Sequence, residues 1–412
     1  LGGSELVIEL PPSGTLIRDL TVTAVNMLEK FGGVKISVDR EEGRVKVKAS
    51  HPNLESALWS FSNELINIYD IKSEVVRWPP LKKNDRETLQ KVIPQDKLKN
   101  LGNYGDVARY YVERLPELLG KGGMLEVKVD GSKSKTSVRL SQKGRKDRKD
   151  IAMLQLFKSE WYEGGLVFNR PYNLKVEIKL DESWASLLLS GFILSYTGMA
   201  NIDTKVIEVS LLTIPEIAYD PYQRKLWLAL NLATTLRRVP TNPTIPYVLY
   251  TYIIAILLED PSIRKALLAE VPEGLEPLNR ILSKGNRIRQ DADVLLRIHR
   301  IRTAQNVRDQ TFTEVSRENL MMGEGVMKLA DLCIERDCPC LREIKDLIEE
   351  GSEARILNAI TILYEALIGS KNPAEASYYI VRTIGDLEGE ASVSRRCAER
   401  LVEVLTGIRV TS

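Results

Sequence analysis

The sequence predicts an α+β protein: a ferredoxin-like domain over residues 1–80, a mixed α/β domain with a basic hairpin over residues 85–215, and an all-helical bundle over residues 221–412. Three observations carry that prediction. The N-terminal stretch alternates strand and helix patterns, further strand patterns follow up to Leu212, and from Pro221 onward the apolar spacing is helical.

Leu6, Ile8 and Leu10 alternate on one face, and Pro11-Pro12 ends that strand. Residues 15–31 read as a helix closed by Gly32-Gly33. Residues 34–38 and 44–48 flank Glu41-Glu42-Gly43, a hairpin signature. A helix over residues 53–69 and a strand over residues 74–78 complete the order strand, helix, strand, strand, helix, strand, the split βαβ plan. Trp78-Pro79-Pro80-Leu81-Lys82-Lys83-Asn84-Asp85 then reads as a linker.

In the middle region Leu125, Val127 and Val129 alternate with Glu126, Lys128 and Asp130, and Val138 and Leu140 repeat the pattern. The spacing predicts a hairpin over residues 124–142. Strands are expected at residues 165–169, 173–180 and 204–212, with a largely buried helix over residues 184–196. Farther on, Asp260-Pro261 and Asn372-Pro373 have the form of helix starts, and Glu375 gives Asn372 the spacing of a capping box. Ile356, Ile360, Leu363 and Leu367 recur at helical spacing, with Leu357 and Tyr364 beside them.

A basic arm runs through residues 131–150, where eight of twenty residues are basic and two acidic. The cations are Lys133, Lys135, Arg139, Lys143, Arg145, Lys146, Arg148 and Lys149. The net charge of the chain is only +2, so this charge is concentrated. Glycine and serine let such an arm follow a phosphate backbone, and each neutralised phosphate releases counterions. The other reading is a solvated surface loop. A second basic element spans residues 280–308. On a helix, Arg297, Arg300 and Arg308 would share an arc of about 80°, with Arg287 and Arg289 in a preceding turn. Arginine on a fixed element is a good phosphate clamp, although the same arc would also serve as a solvated face.

Composition narrows the chemistry. Apolar residues make up 43% and charged residues 28%, as in a soluble globular protein, and scarce histidine beside abundant Lys, Arg and Glu fits a thermophilic source. Leu1-Gly-Gly-Ser4 does not open a secretory signal, and the most apolar run, residues 245–258, is too short to span a bilayer at about fourteen residues. A cytoplasmic location without membrane attachment is expected. His51 and His299 are the two histidines, too few for His-Glu-x-x-His zinc hydrolases or paired-histidine nucleases. Arg44 and His51 have an Arg-x6-His spacing but fall in a strand pattern. No phosphate-binding Gly-x4-Gly-Lys loop, dinucleotide fingerprint or Gly-Gly-Asp-Asp turn occurs. Cys333, Cys338, Cys340 and Cys397 leave plain thiols, a disulfide and a metal site open. The expectation is a protein that is not an enzyme and needs no cofactor. The rival is a nuclease using Asp181, Glu182 or other carboxylates.

The α/β N-terminal portion, the hairpin over residues 124–142 and the helical region from Pro221 together resemble the large subunit of archaeal type I-A CRISPR (Cascade-type) effector complexes. The segment Val307-Arg-Asp-Gln-Thr-Phe-Thr-Glu-Val-Ser-Arg-Glu-Asn-Leu-Met-Met-Gly323 has a similar look. The resemblance implies a non-enzymatic antiviral-defence subunit. Such a subunit sits near the guide RNA end, reads the protospacer-adjacent motif of target double-stranded DNA and aids strand opening. Its partners would be other CRISPR effector subunits and a helicase–nuclease recruited in trans. Base pairing by the guide would supply sequence specificity, leaving the protein backbone grip and a short groove contact. A stand-alone RNA-binding protein and a protein-only scaffold are the alternatives.

Overall fold

Side-chain caps in the sequence set the helix limits. Thr15 caps α1 (Leu16–Gly32) by accepting from Arg18 N at 3.3 Å, and Gly33, at φ 67°, closes it. Asn53 caps α2 (Leu54–Val75) through Ser56 N at 3.0 Å. Asn103 and Asp106 form a reciprocal capping box on α5 (Tyr104–Glu113). The short helices α3 (Lys83–Leu89), α4 (Gln95–Leu98) and α6 (Leu115–Leu119) lie on either side of α5 in sequence. Asp181 caps α7 (Glu182–Ser195) through Trp184 N at 2.9 Å, while its other oxygen accepts from Gln142 N at 2.6 Å. One carboxylate thereby sets both a helix start and the end of a strand.

The computed structural model describes residues 4–41, 44–131, 135–144, 150–158, 175–203, 206–217, 294–303 and 308–316, with isolated residues between 224 and 382. The chain divides into two compact units: Leu1–Arg224 with Leu296–Phe312, and Lys225–Leu295 with Thr313–Ser412. In the second unit Asn372 behaves as a helix cap, its Oδ1 accepting from Ala374 N at 2.9 Å and its carbonyl from Ala376 N at 3.0 Å. Most of the expected helical bundle, including the start at Asp260-Pro261, lies outside the described residues, and two described stretches within it, Val294–Thr303 and Arg308–Ser316, are strands rather than helices.

The first unit holds a seven-stranded mixed sheet in the order β2-β3-β1-β4-β5-β7-β6. Its strands are β1 (Ser4–Glu9), β2 (Lys35–Glu41), β3 (Arg44–His51), β4 (Gly123–Gly131), β5 (Lys135–Gln142), β6 (Ile151–Ala152) and β7 (Lys175–Leu180). A second sheet has the order β11-β10-β9-β8, from β8 (Tyr196–Asp203), β9 (Val206–Thr213), β10 (Val294–Thr303) and β11 (Arg308–Ser316). The expected strand over residues 165–169 lies outside the described residues.

The ferredoxin-like expectation holds for strand order and fails for strand direction. β3 is antiparallel to both β1 and β2, as that plan requires. No strand forms over residues 74–78, because α2 continues to Val75 and the chain then extends into Pro79-Pro80. The fourth position is filled by β4, which runs parallel to β1 with Leu6, Val7 and Ile8 opposite Gly123, Met124 and Leu125. The plan needs an antiparallel strand there. The cause is a second helical pass: α2 carries the chain away from the end of β3, and α3 to α6 carry it back before β4 starts. The break expected at residues 80–85 therefore does not interrupt the sheet. Gly122, at φ 72°, makes the turn into β4, where a Cβ would lie 2.4 Å from Glu5 O.

α1 and α7 are buried helices. Residues 183–195 of α7 are all buried, and its serines at 186 and 190 bond back to the carbonyls of Glu182 and Ser186. The two helices cross at Gly191, where a Cβ would fall 2.0 Å from Leu20 O. Residues 16–28 of α1 are buried as well, although several are polar. Those side chains are used in the second-sheet side of the core: Asn26 donates to Glu216 O at 3.1 Å, and Thr23 Oγ1 accepts from Ile214 N at 2.9 Å. Lys72 of α2 is fully buried and donates to the carbonyls of Ile193, Leu194 and Tyr196 at 3.0, 2.8 and 2.6 Å. It thus caps the C-terminus of α7 from another helix. An aromatic cluster of Tyr69, Trp78, Phe157, Phe192 and Tyr196 fills the space beside it.

Candidate nucleic-acid interface

The hairpin expected over residues 124–142 is present as β4 and β5. Alternation sorts its side chains. Leu125, Leu140 and Val138 point into the core with Ile178 and Leu180 of β7, and the opposite face carries Glu126, Lys128 and Asp130. On that opposite face Lys128 pairs in register with Arg139, and Arg139 with Lys179. Three cations from three adjacent strands therefore form one transverse row.

The row is bounded by acidic rows. Asp130, Ser137 and Glu177 are in register on one side, and Glu126 and Ser141 on the other. Each cation also has an acidic neighbour: Lys128 Nζ lies 2.8 Å from Glu126, Lys179 Nζ 3.2 Å from Glu177 and Arg139 Nη2 2.5 Å from Asp150. The three basic side chains remain 56, 40 and 43% exposed, while their acidic partners Glu126, Glu177 and Asp150 are only 10, 29 and 23% exposed. Arg139 Nε and Ser141 Oγ are buried without a hydrogen-bond partner. Beside them Glu9, 5% exposed, accepts from Val127 N at 3.2 Å and pairs with Arg44 at 3.1 Å.

The predicted arm residues separate as follows. Arg139 sits in the row, and Lys143 is exposed just beyond β5, its N–H bonded to Met124 O at 2.7 Å. Lys135 opens β5, opposite Lys175. Lys133, Arg145, Lys146, Arg148 and Lys149 lie outside the described residues, as do Arg287 and Arg289.

The second basic element is corrected by the structure. Residues 294–303 and 308–316 are strands, so Arg297, Arg300 and Arg308 do not share a helical arc. Strand alternation puts Arg297 and Arg300 on opposite faces of β10. Arg297 turns inward, its Nη1 lying 3.0 and 3.1 Å from the two oxygens of the fully buried Asp19. His299 is fully buried and meets Asp19 Oδ2 through Nε2 at 2.9 Å. On the other face Arg302 pairs with the buried Glu208 at 2.6 Å, and Arg300 lies opposite Ser210. Arg308 begins β11. A strand reading had a local signal in Thr311-Phe-Thr-Glu-Val-Ser316, rich in β-branched and aromatic residues.

The carboxylates considered for a nuclease have other partners. Asp181 is the cap of α7, and Glu182 pairs with Arg114 at 2.7 Å. Arg44 and His51 stand at the two ends of β3, on opposite faces. Among the described residues no three His, Cys, Asp or Glu side chains gather as a metal site, and no helix is long and apolar enough to cross a membrane. The four cysteines lie outside the described residues. Lys128 and Lys179 escaped the sequence reading because each belongs to an ordinary alternating strand, and only strand register brings them beside Arg139. No protein-family model matches the chain, and no curated protein matches its sequence.

Proposed function

We propose that this chain is a non-catalytic nucleic-acid-binding subunit of a CRISPR interference complex, contacting the guide RNA end and target DNA near the protospacer-adjacent motif and aiding strand opening. The observation that supports the reading is the placement of Arg139 and the exposed Lys143 on one hairpin, at the start of the most basic stretch in the chain. Backbone grip by such a hairpin needs no base readout of its own when a guide supplies specificity. Partners in this reading are guide RNA, target duplex, the other effector subunits and a helicase–nuclease acting in trans.

The testing experiment measures binding of the purified protein, alone and with its candidate complex, to motif-bearing and motif-scrambled duplexes at two salt concentrations. Motif-dependent binding that requires the complex is the expected result. Absence of binding at low salt in both settings refutes the reading and leaves a protein-only scaffold. The acidic neighbours of Lys128, Arg139 and Lys179 favour that scaffold as the second reading, since they already neutralise the row.

A further inference from the structure

We infer that the transverse row Lys128–Arg139–Lys179 is a track for the phosphodiester backbone of a single-stranded nucleic acid, and that the acidic row of Asp130 and Glu177 beside it excludes a duplex. The inference rests on the nucleic-acid reading above and adds two residues, an orientation and a selectivity to it. The row crosses β4, β5 and β7, so the backbone positions of neighbouring cations are about 4.8 Å apart along it, the spacing of adjacent strands. A backbone lying on them runs perpendicular to the strands. All three cations keep a large part of their surface in solvent, and Lys143 stands exposed where β5 ends.

Selectivity follows from the acidic row on one side. Side chains on one strand face repeat every second residue, so the Cα atoms of Asp130 and Glu177 lie about 7 Å from those of the row, and the Glu177 carboxylate reaches back to 3.2 Å from Lys179 Nζ. Glu126, on the other side, is nearly buried against Lys128 at 2.8 Å and presents little charge to solvent. A single backbone lying on the row keeps clear of the exposed Asp130. A duplex carries its second backbone across a groove of about 6 to 12 Å, which on that side lands on or past Asp130 and Glu177. Like charges placed against the wrong ligand are how an interface rejects it. The acidic neighbours of the row thus have two effects: they hold the half-exposed cations in place, and Asp130 with Glu177 limits the width of what can bind.

The test uses the full chain and fluorescence anisotropy with a labelled oligothymidylate and a duplex of equal length, titrated over a salt series. Replacing Lys128→Gln with Lys179→Gln is expected to make the log-affinity against log-salt slope for the single strand shallower by about 1.4, as for two lost phosphate contacts. Asp130→Asn with Glu177→Gln is expected to raise duplex affinity more than single-strand affinity. The wild type is expected to prefer the single strand. An unchanged slope in the lysine variant, with a slope flattened by Lys143→Gln, Arg145→Gln and Lys146→Gln, overturns the track and leaves the nucleic-acid reading standing. Equal or tighter duplex binding by the wild type overturns the selectivity. No binding of either probe removes the track and the broader reading together.

Discussion

Asp19 and His299 lie 280 positions apart in the chain, and their side chains meet at 2.9 Å in a fully buried setting. Arg297 completes the contact from two residues along β10. An anionic side chain on α1 thus receives a guanidinium and an imidazole from one face of one strand. That face therefore serves the fold, which removes Arg297 from the residues available to a ligand.

Asp19→Ala should be severe, because it leaves the Arg297 guanidinium in a mostly buried place without its carboxylate. Breaking one side of a buried ion pair costs about 3–5 kcal/mol. Urea denaturation followed by circular dichroism should show the unfolding midpoint falling with little change in the denaturant slope. A variant as stable as the wild type would show that Asp19 contributes nothing net. Arg297→Gln should likewise lower stability and leave the salt slope of nucleic-acid binding unchanged.

Lys72→Met fills a similar volume but abandons the carbonyls of Ile193, Leu194 and Tyr196, so a loss of roughly 1–3 kcal/mol is expected. A pH signature accompanies it. Burial pushes the Lys72 ammonium well below its ordinary value of 10.5, so the folded chain gives up that proton more readily than the unfolded chain. The contribution of Lys72 is least favourable below the depressed folded value and improves as pH rises toward 10.5. The stability gap between wild type and variant should therefore widen in favour of the wild type on the alkaline side. A gap that stays constant with pH would contradict the depressed ammonium.

Gly191→Ala sets two effects against each other. Replacing a mid-helix glycine by alanine normally stabilises by about 1 kcal/mol. Here the new methyl would lie 2.0 Å from Leu20 O, a backbone atom that can yield only if α1 and α7 separate. Overpacking of this kind costs about 1–3 kcal/mol, so the clash wins. Thermal unfolding should show a lower Tm, and a higher Tm would mean that the crossing adapts without strain.

Local patterns made part of this architecture readable. The β4–β5 hairpin announces itself through Leu125, Val127 and Val129 alternating with charged residues, and α7 through its unbroken apolar run after Asp181. Long-range pairing hid the rest. Asp19, Thr23 and Asn26 look like the wet side of a helix until β10 and the segment just after β9 supply partners for them. In β10, Ile298 and Ile301 stand three apart and imitate a helical stripe, yet Arg297 and His299 alternate because Asp19 holds both on one strand face. The parallel course of β4 depends on four helices between it and α2, which no pattern inside β4 encodes. The basic row needs two strand registers at once, so its members are ordinary in sequence and neighbours only in the sheet.

Asp150→Asn separates a structural role for Arg139 from a binding one. Among the described residues Asp150 pairs with the Arg139 guanidinium at 2.5 Å, and the arginine side chain is 43% exposed. An exposed pair contributes at most about 1 kcal/mol, so its loss should lower stability only slightly. Removing that acid leaves the guanidinium to a phosphate, and the energy no longer spent on displacing Asp150 corresponds to a gain of up to about fivefold in affinity. Binding of the labelled single strand should tighten by that order at low salt and converge on the wild type as salt rises. Weaker binding in Asp150→Asn would mean that Asp150 orients Arg139 for its ligand. Unchanged binding together with unchanged stability would leave the pair as an idle surface contact.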